Sequence, residues 1–383
     1  MRFAHISLRN ALLIAIATFI PTAVFGYSFD PVTGPVGQHP DALAVLKLDN
    51  GSALLLAGNY FSNDVSAISN ITAAGFGTTS EIPVGNGPTS IAVGDFGNGH
   101  QDFAVSNFND NTVSVFQGDG TGDFTAGQAL ATGSGPNGLA VGDFNGNGNL
   151  DLATANQNDG TVSVILGNGD GTFQPQTSYE AGAGAHSIVA GDFGNGSVDL
   201  ATANYDTDTV SELLNNGNGT FAPPDTFSVG ASPWYIAAAD LTGNGILDLV
   251  VANYGSNDIS VLMGNGDGTF QPAETFATGT GPNGIAIGDF GNGKMDIAVS
   301  DYGSDSVEIF NGDGDGDFTP AGTFDVGDGP TGIVAGDFTG DGRLDLAVAN
   351  SDDNTVTVLL NVPEPASMGL LLPASFFFLR RRR

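Results

Sequence analysis

The chain has 383 residues, 58 of them Gly and none Cys, with 40% apolar residues and a formal charge of −33. Without Cys there is no disulfide scaffold and no thiol chemistry, but export stays open, because a chain this long can hold together on its core alone. So acidic a surface repels nucleic acid and anionic membrane alike, and it attracts cations.

Residues 1–26 have the layout of a secretory signal peptide. Arg2, His5 and Arg9 precede the apolar run ALLIAIATFI (11–20), and TAVFG offers small-residue cleavage after about Gly26. The apolar run is well short of the about 20 residues that a membrane span needs, so cleavage is expected rather than a retained anchor.

From residue 27 to residue 361 the chain repeats itself. GDFGNGHQDFAVSN starts at Gly94, GDFNGNGNLDLATAN at Gly142, GDFGNGSVDLATAN at Gly191, ADLTGNGILDLVVAN at Ala239, GDFGNGKMDIAVSD at Gly288 and GDFTGDGRLDLAVAN at Gly336. The leading acids are spaced 48, 49, 48, 49 and 48 residues apart. A fixed period of this size marks repeated supersecondary units. A weaker seventh copy, LKLDNGSALLLAGN (46–59), has Lys47 where the leading Asp belongs.

Each unit reads as four strands bounded by turn clusters, as in GLAVGDF, LDLATAN, TVSVILGN and GTFQPQTSYEAG. Four antiparallel strands per 40–50 residues predict a β-propeller blade, with the Gly- and Ala-rich first strands converging on a central channel. The last unit stops after its third strand, TVTVLLN (355–361), and YSFDPVTGPVGQHPDALAV (27–45) matches a fourth strand followed by a first. The expected fold is therefore all-β: a seven-bladed propeller of four-stranded antiparallel blades, closed by the N-terminal strand completing the last blade. Closure removes the exposed edges of an open stack.

The loops after the first strands carry the candidate chemistry. In the three longer loops oxygens fall at positions 1, 3, 5 and 9: Asp143, Asn145, Asn147 and Asp151; Asp240, Thr242, Asn244 and Asp248; Asp337, Thr339, Asp341 and Asp345. Position 7 (Asn149, Ile246, Arg343) can add a backbone carbonyl. Alternating hard oxygens on a Gly-rich turn suit Ca²⁺, which takes 6–8 of them in flexible geometry. Turn chemistry accounts for Asn-Gly but not for an Asp at both ends of six loops. Two carboxylates about 4 Å apart repel by about 4 kcal/mol at an effective dielectric near 20, and a bound cation reverses that sign. Three loops are one residue shorter and lose the position-3 oxygen. They are weaker metal candidates: Asp95, Asn98 and Asp102; Asp192, Asn195 and Asp199; Asp289, Asn292 and Asp296. Short and long loops alternate around the chain.

These repeats, with later turns such as VLMGNGDGTFQP, resemble FG-GAP/VCBS repeats, the unit of the integrin α-subunit propeller. The resemblance implies seven blades with Ca²⁺ between the first and second strands, and by position it transfers to the three full loops. Asn or Thr replaces several of the family's Asp ligands, so weak binding is expected, in the range of about 10⁻⁴–10⁻³ M. The GNGDGTF turns (167–173, 264–270) read as hairpin turns closed without metal.

Strand direction places the second-to-third-strand loops and the inter-blade loops at the end away from the calcium loops. Tyr60, Phe108, Tyr205, Tyr254 and Tyr302 follow second strands, while Trp234 and Tyr235 lie in SPWYIA. Either they form an aromatic collar for a glycan or protein ligand, or their rings pack between blades. No HExxH, GxSxG or Ser/His/Asp set stands out, and His39, His100 and His186 occupy unlike repeat positions. A noncatalytic calcium-binding adhesion module is therefore expected, with a polysaccharide lyase or hydrolase sited in the channel as the alternative.

The chain ends in VPEPASMGLLLPASFFFLRRRR (362–383). Pro363-Glu364-Pro365, an apolar stretch and an Arg cluster, in that order, resemble a PEP-CTERM sorting signal. That implies processing by an exosortase, only transient membrane contact, and release to the surface or extracellular matrix of a Gram-negative-type bacterium. Outside the two terminal segments the basic residues are Lys47, Lys294 and Arg343 alone.

Overall fold

The computed structural model describes residues 27–363. The signal-peptide reading, together with Glu364, Pro365 and the rest of the sorting segment, lies outside the described residues. Twenty-eight strands, β1 to β28 in chain order, form seven four-stranded antiparallel sheets. The propeller expectation holds, and so does the predicted closure. Blade seven is built from β26 (Pro330–Gly336), β27 (Asp345–Asn350), β28 (Thr355–Val362) and β1 (Ser28–Pro35). β1 pairs with β28 along its whole length, from Ser28 opposite Val362 to Pro35 opposite Thr355.

The sequence pattern explains the radial order. Second strands such as DLATAN (Asp151–Asn156) are buried at every residue, because each is covered by the blades on either side. Fourth strands such as TSYE (Thr177–Glu180) lie at the rim and are mostly exposed. First strands are crowded at the axis. A Cβ on Gly284 would stand 2.6 Å from the Thr331 carbonyl of the next blade, so only Gly permits that approach.

The core lies between blades. Leu46, Leu54 and Leu56 of blade one pack with Ile91, Phe103 and Val105 of blade two. Across the closing seam, Leu43, Leu55 and Ile68 meet Ala347, Val356 and Val358. The Phe after a leading Asp joins this packing. Phe96, Phe144 and Phe193 stand edge-to-face with Phe173, Phe221 and Phe270 of the following blade, at 5.5, 5.8 and 5.5 Å between ring centres. Such pairs add about 0.5–1.5 kcal/mol beyond area burial.

Every first strand is bulged near its start, just after a Pro in six blades and after Ala185 in blade four. A bulge re-aims one side chain. The residue after the Pro or Ala is Asp41, Thr89, Asn137, His186, Trp234, Asn283 or Thr331.

Candidate functional site

All six acidic loops lie at one end of the ring, where a first strand hands over to a second, and the two Asp of each loop play different parts. The trailing Asp is buried at the start of the second strand. Asp151 accepts the Phe144 N–H on Oδ2 (2.9 Å) and the Gly167 N–H on Oδ1 (2.7 Å). Asp102, Asp199, Asp248, Asp296 and Asp345 each repeat this pair of bonds, tying the loop to the end of the third strand. The leading Asp organises the turn. Asp143 accepts N–H bonds from Gly146, Asn147 and Gly148 at 2.8, 3.1 and 2.8 Å, and Asp240 and Asp337 do the same.

The leading charge acts on the trailing carboxylate. Burial raises the pKa of Asp151 and Asp248, with backbone N–H bonds opposing it, and the charge of Asp143 or Asp240 adds to the rise. In the last loop burial likewise raises Asp345, and Asp341 and Asp337 add to it. Thr242, at position 3, has a buried hydroxyl oxygen without any hydrogen-bond partner. A trailing carboxylate raised by burial and then by neighbouring charge, amide oxygens with lone pairs to spare and an orphaned hydroxyl form a hard-oxygen set, and that chemistry fits Ca²⁺. The fit is not that of an acid-rich site, since no group of three or more His, Cys, Asp or Glu is placed to hold a metal among the described residues. In the last loop Asp341 is partly engaged by Arg343, 3.4 Å away.

The short loops differ in kind. Asn98, Asn195 and Asn292 turn their side-chain NH₂ onto the trailing carboxylates Asp102, Asp199 and Asp296, at 2.9, 2.8 and 2.6 Å. The Asn oxygens accept the N–H groups of His100, Ser197 and Lys294. A neutral amide thus stands where the sequence reading placed a ligand oxygen. In the 289–296 loop the Tyr27 hydroxyl also donates to Asp296 at 2.8 Å. The signal for this amide was the missing residue itself, which shifts Asn from position 5 to position 4. The GNGDGTF turns are closed by their own side chains, with Asp170 and Asp267 accepting from Thr172 and Thr269.

At the opposite end, the aromatic residues form two groups rather than one collar. Tyr205, Trp234, Tyr254 and Tyr302 run as an arc with neighbouring ring centres 5.6, 5.4 and 6.5 Å apart, and His186 lies 4.0 Å from Trp234. Tyr60 belongs to a separate cluster with His39 and the exposed Phe61. Tyr60, Phe108, Tyr254 and Tyr302 each lie against a left-handed Gly of the next inter-blade loop (Gly87, Gly135, Gly281, Gly329), which favours the packing role. His39 (φ 56°) and Ser232 (φ 53°) replace that Gly in two blades, a strain of about 1–3 kcal/mol each. The central channel expected from the convergent first strands lies behind this arc, and what sequence reasoning did not single out is its polar lining. A cavity of about 120 Å³ is lined by the first strands of all seven blades, including Asp41, Asn137, His186, Tyr235 and Asn283.

A family model described as FG-GAP-like repeat matches residues 96–154, 193–251, 240–292 and 290–348. No curated protein matches the chain. Among solved structures, a catalytically inactive virginiamycin B lyase from Staphylococcus aureus, with quinupristin, is 14% identical at a TM-score of 0.59. The match covers 88% of this chain and 100% of the lyase. The hydrazine synthase of Kuenenia stuttgartiensis is 14% identical at a TM-score of 0.62, covering 86% and 98%. A lectin of Agrocybe aegerita that recognises non-reducing terminal N-acetylglucosamine is 19% identical at a TM-score of 0.55, covering 88% and 96%. At these identities the likeness shows the fold alone.

Proposed function

The chain belongs to the FG-GAP-like repeat family, and from that premise we propose a noncatalytic, calcium-stabilised propeller that is exported and binds a glycan or protein on the face away from its acidic loops. The observation that carries the metal reading is the full loop 240–248. Burial and the Asp240 charge hold Asp248 above the usual carboxylate range, and the Thr242 oxygen lacks a partner. A cation placed among them removes both penalties at once. Calcium in the three full loops (Asp143 to Asp151, Asp240 to Asp248, Asp337 to Asp345) then acts as a staple for the ring, and the short loops are stapled by Asn. Export is supported by the signal-like ends of the sequence, with exosortase as the processing partner and the cell surface or matrix as the destination.

The test is thermal melting of the full chain with and without a calcium chelator, alongside metal analysis. Calcium removal should lower Tm by several degrees, with up to three ions bound per chain. An unchanged melt together with no bound metal sinks this reading. The channel cavity favours one second reading, a polysaccharide lyase or hydrolase, because Asp41 and His186 both line it. Product formation from a bound glycan, lost with His186→Phe, would select that reading instead.

A further inference from the structure

We infer that the channel mouth opposite the acidic loops is a binding site for a single neutral sugar ring, read by the residues that the first-strand bulges turn into the channel. The inference rests on the binding-module reading above and names its site and ligand class.

Three observations meet here. The first is where the repeat varies. Six blades keep Pro at the start of the first strand, every blade keeps the bulge, and the residue that follows is Asp, Thr, Asn, His or Trp, which in six blades lines the cavity. Thr89 and Thr331 spend their hydroxyls on backbone carbonyls of the next blade, a structural use that Asp41 and Asn283 do not share. The second is a set of unspent polar atoms. Among the described residues the Asp41 carboxylate, the Asn283 amide and the Tyr235 hydroxyl make no hydrogen bond, although all three line the cavity. Asn137 donates its amide to Gln157 at 3.1 Å, which leaves its oxygen free. His186 Nδ1 lies 2.8 Å from the Trp234 carbonyl, so that nitrogen carries the proton and Nε2 keeps a lone pair. The third is shape. The cavity holds about 120 Å³ and opens at the channel mouth, so it takes one edge of a sugar ring while the rest of the ring stays outside. Tyr235, exposed into it, offers an aromatic face.

The chemistry of the wall selects the ligand. No Lys or Arg lines the cavity, so it has nothing with which to hold an anion. Acceptors outnumber donors, as suits a ligand carrying several hydroxyls, while the Asn283 amide and the Tyr235 hydroxyl supply the donors that such a ligand also needs. A purely cationic ligand would leave those donors facing a positive charge. Burial raises the Asp41 carboxyl to about 6, with His39 pulling it back, so it is ionised at neutral pH and accepts from two adjacent hydroxyls.

The experiment titrates the full chain, in calcium, with the methyl glycosides of glucose, galactose, mannose and N-acetylglucosamine, read by saturation-transfer NMR and calorimetry. We expect saturable binding of at least one glycoside. Asp41→Asn and Asn283→Ala should each weaken it about tenfold with little change in Tm, while Phe61→Ala, outside the channel, should leave it intact. The inference is overturned if none of the glycosides binds, if binding survives both channel substitutions, or if methylguanidinium competes more strongly than any sugar. Binding lost with Phe61→Ala but kept by the channel variants leaves the surface-module reading standing and removes this one. A chelator-insensitive melt counts against the calcium reading and leaves this inference untouched.

Discussion

Asp301 is the residue at which this repeat works against itself. Six blades end the second strand with Asn, whose amide donates to two side-chain oxygens of the third strand, as Asn156 does to Thr161 (3.0 Å) and Ser163 (2.9 Å). Blade six has Asp301 there, fully buried, with Glu308 in place of the Ser. Both Asp301 oxygens lack hydrogen-bond partners, and burial, then Glu308, pushes its pKa up to about 7. The folded state therefore holds a proton that the unfolded chain releases. Stability from this site is fully present below about pH 4 and is lost as pH rises to about 7. Asp301→Asn restores the donor and removes the loss. Its Tm should match the parent near pH 4 and exceed it above pH 7 by at least about 2 °C, roughly 1 kcal/mol. Melting both proteins across pH 4–8 checks this, and a gap that is constant with pH refutes it. Glu212 is a second such place. It is 1% exposed with both oxygens unpaired, and burial, then Asp199, Asp225 and Asp267, raises it to about 8. Val164 and Val261 occupy the equivalent positions, so Glu212→Val should stabilise the fold, most of all above pH 8, as melts at pH 5 and pH 9 would show.

At the scale of the loop, the two Asp look alike in sequence and differ in the fold. Asp151 holds two buried backbone N–H groups, whereas Asp143 holds a partly exposed turn. Asp151→Ala strands both N–H groups, at about 1–3 kcal/mol each, even in chelator. Asp143→Ala should cost much less in chelator, and its penalty should grow when calcium is added. Denaturant melts of both variants in the two buffers separate these roles, and equal penalties would contradict the division. The repeat period, the blade count and the place of the loops were legible because they are written in regular spacing. The duty of the trailing Asp was not, because one of its donors, Gly167, lies 16 residues on and is brought back only by the third strand. Nor was the turn of Asn98 onto Asp102, since an amide can face a carboxylate as donor or a cation as acceptor. The channel was legible as the place where first strands converge, and Trp234 and Tyr235 could be named, but Asp41, Asn137 and Asn283 could not, because a bulge leaves no mark in the spacing of the repeat.

For the whole ring, the question is what keeps seven weakly individual blades in one closed cycle. Each first strand contacts the first strands on both sides, so blade one must meet blade seven, and blade seven is completed as a four-stranded sheet by β1. β1 does more than supply an edge. Phe29 stands edge-to-face with Phe324 at 5.0 Å, and Tyr27 reaches Phe290 and the Asp296 carboxylate of blade six. The closing strand thus spans two blades, fastening a short loop that carries an internal amide instead of a full set of metal-ligand oxygens. Tyr27→Phe keeps the ring contact and removes the hydroxyl donor, so it should cost about 1–3 kcal/mol, the value of a hydrogen bond to a charged group. Removing residues 27–35 should do something different in kind. It bares the whole length of β28, a buried strand of Val and Leu, as an unpaired edge. Sedimentation should then show self-association, and the melt should broaden as blade seven unfolds ahead of the rest. A truncated chain that stays monomeric and melts in one sharp step would mean that the ring holds by stacking of first strands alone, with β1 as ornament. The register of eight paired residues and the Tyr27 contact argue against that, because neither would be needed if stacking sufficed.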